Sequence, residues 1–139
     1  MSIVNPIVVI DDDDDDHYLM KRACEKIGIT ADLLFFSEGN AALEYLRSTH
    51  TKPFIILCDV NMPMMNGLEL RKKINEDVTL KQKSTPFIFF STAAMPTVVR
   101  DAFNMDVQGF FIKEQSWEKM ERTLRIIFEY WEKCEHVIF

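Results

Sequence analysis

Short apolar runs alternate along the chain with longer segments whose apolar residues recur every three or four positions. Ile3 to Ile10 reads as a buried strand, and Asp14 to Lys26 as a helix that opens on aspartates. Leu33 to Phe36 is predicted as a second strand, Asn40 to Arg47 as a short helix, and Phe54 to Cys58 as a third strand just after Pro53. Gly67 to Asn75 reads as helical, followed by a polar connection from Glu76 to Thr85. Phe87 to Phe90 is a fourth strand, a helix falls within Thr97 to Asn104, Gly109 to Ile112 is a fifth strand, and a long last helix covers Ser116 to Glu135. Five strands alternating with five helices predict an α/β fold, a parallel sheet covered on both faces. The strands IVVI, FIIL and FIFF are near-continuous apolar runs, as burial on both faces requires. In such sheets functional residues collect at the carboxyl ends of the strands, near a switch in strand order.

Composition narrows the class. At 139 residues, with no repeat, linker or second composition, residues 1–139 are expected to form a single domain without an output domain. An apolar share of 47% against 27% charged fits a globular chain, not a disordered one. The net charge of −6 argues against a nucleic-acid surface, which must neutralise phosphates with Lys and Arg. No apolar run is long enough to cross a bilayer, and no basic stretch precedes a long apolar one at the N-terminus. Cys24, Cys58 and Cys134 are odd in number and widely spaced, which suggests neither a disulfide framework nor a zinc site. A cytoplasmic location is the expectation.

The residues that follow the strands form a coherent chemical set. Asp11 and Asp12 follow the first strand, Asp59 the third, Ser91 the fourth and Lys113 the fifth. Three clustered carboxylates repel one another, and a hard cation such as Mg²⁺ relieves that repulsion with oxygen ligands. A lysine and a hydroxyl at the same edge suit the oxygens of a phosphoryl group. The cluster points to metal-assisted phosphoryl transfer to a carboxylate.

Over nearly its whole length the chain resembles the response-regulator receiver family. The resemblance rests on the acidic pair after the first strand and on D-x-x-M-P-x-x-x-G at Asp59, Met62, Pro63 and Gly67. Ser91 and Lys113 complete it. It implies a three-layer, doubly wound, flavodoxin-like five-stranded parallel sheet of order 2-1-3-4-5. It further implies that Asp59 accepts a phosphoryl group from a sensor histidine kinase or a histidine phosphotransfer protein, with Mg²⁺ or Mn²⁺ as cofactor. Asp12 and Asp59 would ligate the metal directly, Asp11 mainly through water, and Asn61 through its backbone carbonyl. Lys113 would pair with the phosphoryl group, Ser91 would swing toward it, and Phe110 stands where the family has an aromatic switch residue. Pro63 would stiffen the loop that sets the Asn61 carbonyl, and Gly67 would permit a tight approach to the next helix. The implied role is signalling through an unidentified downstream protein, as a monomer or weak homodimer, without nucleic acid or membrane. Catalysis would be limited to self-phosphorylation and autodephosphorylation.

Several residues carry a second reading. Asp13 to Asp16 read as caps that meet the dipole of the first helix. Crowding of so many carboxylates predicts a stability sensitive to Mg²⁺. Glu114 follows Lys113 where the family has a proline after a cis bond; a cis bond before a non-proline costs about 3–4 kcal/mol, and the sequence leaves cis or trans open here. Thr92 is a rival for the hydroxyl role, and Phe110, lacking a hydroxyl, can switch through packing alone or serve simply as core. On the last helix, Trp117, Met120, Leu124, Ile127, Trp131 and Cys134 form a stripe expected to pack on the sheet. Ile126, Tyr130 and the tail Val137, Ile138 and Phe139 lie off that stripe, as a partner surface or as a tail folded back. His17, His50 and His136 read as surface residues, and Cys58 as a buried strand residue. A phosphatase of the haloacid dehalogenase type, with Asp11 as nucleophile, is the alternative function. A helix–loop–helix calcium loop starting at Asp11 fails, because Asp16 and Arg22 stand where it needs Gly and Glu.

Overall fold

The structure, a computed structural model, describes residues 1–138. Its strands are β1 (Ile7–Ile10), β2 (Leu33–Phe36), β3 (Ile55–Asp59), β4 (Phe87–Ser91) and β5 (Gly109–Ile112). Between and after them run α1 (Asp14–Lys26), α2 (Gly39–Ser48), α3 (Gly67–Glu76), α4 (Val78–Lys83), α5 (Pro96–Asn104) and α6 (Trp117–Lys133). All strand pairs are parallel, in the order β2-β1-β3-β4-β5. This is the doubly wound, flavodoxin-like sheet that the family resemblance implied. Every residue of β1, β3 and β4 is buried, whereas β2 and β5, at the edges, are half-exposed. Two apolar layers result: α2, α3 and α5 cover one face, α1 and α6 the other.

The helix count differs from expectation. The polar connection from Glu76 to Thr85 holds the short α4, because Asp77 ends α3 and also caps α4, accepting from the Leu80 amide at 3.0 Å. Leu80 is the apolar anchor of that turn-and-a-half, and Ser84 stops it in the left-handed region at φ 52°. One buried apolar residue in six leaves no periodic signal for a sequence to display.

β1 is also shorter than predicted. Ile3 is buried but Val4 is exposed, and the chain runs irregularly until Pro6, whose carbonyl accepts from Phe54 N–H at 2.8 Å. On α6 the expected Met120, Leu124 and Ile127 are buried and Phe128 joins them, while the ends of the expected stripe are not fully covered where α6 packs beside α1. Trp117 therefore remains 45% exposed, edge-on to Tyr18 at 6.3 Å, while Trp131 and Cys134 are half-buried. Ile126 and Tyr130 are exposed, as their place off the stripe predicted. The tail folds back: Lys52 Nζ donates to the Val137 carbonyl at 2.7 Å, and the His136 ring lies 5.3 Å from that of Phe54. Ile138 is nonetheless 97% exposed. Phe139 lies outside the described residues.

Candidate functional site

Strand pairing delivers the chemistry to one edge. The Asp11 amide donates to the Phe36 carbonyl at 2.9 Å, continuing the β1–β2 ladder by one step. The Lys113 amide donates to the Ser91 carbonyl at 2.7 Å, continuing β4–β5 in the same way. Asp59 is the last residue of β3, paired with Phe90, and Ser91 is the last of β4. Asp11, Asp59 and Ser91 are buried, and Asp12 is exposed.

Lys113 gathers the acids. Its Nζ lies 2.7 Å from Asp11 Oδ2, 2.6 Å from Asp16 Oδ2 and 3.4 Å from Asp59 Oδ2. Burial on its own would lower the Lys113 pKa, but hydrogen bonds to Asp11 and Asp16 outweigh it, and the group is raised and stays an ammonium. Burial pushes the Asp11 carboxyl from its ordinary 3.8 up to about 6, against the pull of Lys113 and of the Asp13 amide. Asp59 is raised for the same reason, opposed by Lys113 and by the amides of Asn61 and Val60. The peptide bond between Lys113 and Glu114, which the sequence left open, is trans.

Oxygens of Asp11, Asp12 and Asp59 all lie within 4.8 Å of one another. Hard carboxylate donors at that spacing fit a divalent cation of the Mg²⁺ or Mn²⁺ type.

The loop after β3 is shaped by close contact. A Cβ on Gly67 would stand 2.3 Å from the Asp59 carbonyl oxygen and 2.6 Å from the Phe89 ring. Only glycine lets α3 begin this close to the acid, and its amide donates to the Val60 carbonyl at 2.8 Å. Met62 and Met65 are buried on either side of exposed Pro63 and Met64, and the Pro63 carbonyl accepts from Met65 N–H at 2.8 Å. Asn61 and Thr92 are exposed, whereas Ser91 is buried. The Phe110 ring rests 5.8 Å from Phe89, half-buried against the core of that face.

Two residues of the site went unread in the sequence. Asp16 reads as a cap, yet it grips Lys113; only Asp13 of that run caps α1, accepting from Asp15 N–H at 2.8 Å. The available signal was its position: Asp16, Met20, Ala23, Cys24 and Ile27 fall on one helical stripe, so an acid begins an otherwise apolar face. His17, read as a surface residue, is half-buried, its Nε2 2.5 Å from the Asp11 carbonyl and its ring 5.0 Å from Phe35. His136 is likewise engaged, 2.6 Å from the Trp131 carbonyl, while His50 is exposed. The Cys58 thiol is buried, contacts the Asp59 carbonyl at 3.1 Å, and is held well above its usual pKa by burial.

A sequence profile of the response regulator receiver domain matches residues 7–125. The chain belongs to the response regulator receiver family. It is thus a receiver domain of the two-component signalling systems. A probable methanogenesis regulatory protein, FilR2, of Methanothrix harundinacea (strain 6Ac) is 31% identical over 117 residues, which cover 81% of this chain and 74% of that one. The phosphorylated cyanobacterial phytochrome response regulator RcpA superposes with a TM-score of 0.87 at 22% identity, over 98% of this chain and 100% of that one. The Mn²⁺-bound form of response regulator Rcp1 gives 0.83 at 21% identity, over 96% and 99%. At such identities the likeness to these structures is one of fold. The phosphatase alternative finds no support: the match is to receivers, and Asp11 has one oxygen held by the Asp13 amide and the other by Lys113. Among the described residues no helix is long and apolar enough to cross a membrane.

Proposed function

We propose that this receiver accepts a phosphoryl group on Asp59 from a phosphohistidine of a sensor histidine kinase or histidine phosphotransfer protein. It then signals by binding a downstream protein, as a monomer or weak homodimer. The observation that carries the reading is the meeting of Asp59, Lys113 and the Asp11–Asp12 pair at the carboxyl edge of the sheet. An Asp59 carboxylate oxygen attacks phosphorus while the phosphorus–nitrogen bond breaks and imidazole leaves. Lys113 donates to one phosphoryl oxygen and the Ser91 hydroxyl to another. The exposed hydroxyl of Thr92 is the competing donor. Asp12 and Asp59 would hold Mg²⁺ or Mn²⁺ directly, Asp11 would act through water and Asn61 through its carbonyl. When bound, the cation neutralises charge on the transferring oxygens. Phe110 follows Ser91 by repacking against Phe89, with no hydroxyl of its own to bond. Pro63 and Gly67 keep the Asp59 loop rigid.

The test is direct. Incubation with phosphoramidate and Mg²⁺, with the acyl phosphate trapped and mapped by mass spectrometry, should label Asp59, and Asp59→Asn should abolish the label. Label on Asp11, or sustained turnover of small phosphate esters, would overturn the reading.

A further inference from the structure

Asp16 occupies the third position of α1, where an acidic side chain ordinarily reaches back to the amide of the capping residue. α3 is built that way: Glu69 accepts from Asn66 N–H at 3.0 Å, and Asn66 from Glu69 N–H at 2.8 Å. In α1 the corresponding amide, that of Asp13, donates to Asp11 Oδ1 at 2.9 Å instead. The Asp16 carboxylate is relieved of capping. It reaches Lys113 Nζ at 2.6 Å, against 3.4 Å for Asp59. Asp16 stands outside the triad of acids spaced to hold a cation, so its grip on the ammonium is not shared with metal ligation. Its side chain is 31% exposed, where a charge-assisted hydrogen bond keeps much of its strength.

We propose that Asp16 is a positioning residue that tethers Lys113 in the unphosphorylated protein and competes with the phosphoryl group for it. The inference rests on Asp59 as phosphoacceptor. With phosphoramidate, a bond forms between Asp59 Oδ and phosphorus, the phosphorus–nitrogen bond breaks, and ammonia leaves with a proton from solvent. Lys113 keeps its three protons and only changes acceptor, from the Asp16 carboxylate to a phosphoryl oxygen. Loss of the Asp16 bond opposes that exchange, so Asp16 slows labelling of Asp59.

Three variants separate the tether from simple charge. Asp16→Asn removes the carboxylate, Asp16→Glu restores it, and Asp15→Asn removes an equal charge from an exposed neighbour. At saturating Mg²⁺, Asp16→Asn should be labelled about five- to tenfold faster than wild type, as the loss of one competing charged hydrogen bond allows. Asp15→Asn should stay within about twofold, and Asp16→Glu should return toward wild type. In the unphosphorylated protein the ¹⁵Nζ resonance of Lys113, assigned by its loss in Lys113→Arg, should move in Asp16→Asn and hold still in Asp15→Asn. Equal effects of Asp16→Asn and Asp15→Asn, or labelling unchanged or slowed in Asp16→Asn, overturn the proposal. If wild type takes no label on Asp59, the phosphoacceptor reading falls on its own account. The Lys113 resonance then still decides the tether, and an unmoved signal in Asp16→Asn sinks it.

Discussion

Lys113 faces three carboxylates within 3.4 Å, two of them buried, so one ammonium serves more negative charge than it can neutralise. The cost shows in the Asp11 carboxyl, raised by burial from 3.8 to about 6, and in Asp59, raised in the same direction. A carboxyl whose folded pKa is raised binds its proton more tightly in the native state. Its contribution to stability is full below the unfolded value and is lost as pH rises through the folded one. Without divalent metal, stability should therefore fall between pH 4 and 7, the window set by Asp11. Asp77, whose pKa is lowered by the Leu80 amide, acts in the opposite sense but below that window. Urea midpoints in EDTA at pH 5 and pH 7.5 test this, and Asp11→Asn should flatten the dependence. A wild-type midpoint that rises over the same interval would refute it.

Among the elements, α3 and α4 contrast in how their cost of disruption arises. Gly67 begins α3 against the Asp59 carbonyl, and an added Cβ at 2.3 Å from backbone has nowhere to go. Gly67→Ala should lose about 3 kcal/mol, at the upper end for overpacking, and should slow labelling of Asp59 because the acceptor loop must move. Chemical denaturation and phosphoramidate labelling read the two effects separately. α4 depends on Asp77, which caps it and also meets Arg47 at 3.2 Å. Asp77→Ala should cost about 1 kcal/mol through the lost cap. Arg47→Ala removes only an exposed ion pair, so about 0.3 kcal/mol is expected. Equal losses in the two variants would mean that the ion pair, not the cap, holds the helix. The glycine was legible as part of a motif with Asp59, Met62 and Pro63; its 2.3 Å contact was not, because the Asp59 carbonyl is brought to it by the fold. α4 was illegible for a different reason, since six residues with one buried apolar anchor carry no period.

At the scale of the whole molecule, the net charge of −6 is unevenly spread, with Asp11, Asp12 and Asp59 converging at the carboxyl edge of the sheet. A cation that binds the native state alone stabilises it by mass action: about 1.4 kcal/mol at ten times its dissociation constant, or about 4 °C in melting temperature for a domain of this size. Calorimetric scans with and without millimolar Mg²⁺ should show that rise, and it should vanish in Asp59→Asn. Equal melting temperatures would count against a metal site. Lys113 already neutralises part of the cluster, so the dependence on metal should be weaker than six consecutive aspartates suggest. The apolar runs by themselves determined the alternation of strands and helices. That alternation, with right-handed crossovers, carries Asp11, Asp59, Ser91 and Lys113 to one edge, so their convergence could be read before it was seen. Only the tertiary structure decided that Asp16 joins Asp11 in holding Lys113. Asp16 lies 97 residues from Lys113 in the chain, and a capping role and an ion-pairing role demand the same residue type at the same helical position. The choice fell to the Asp13 amide, already taken by Asp11, a contact that exists only once β1 and α1 have met.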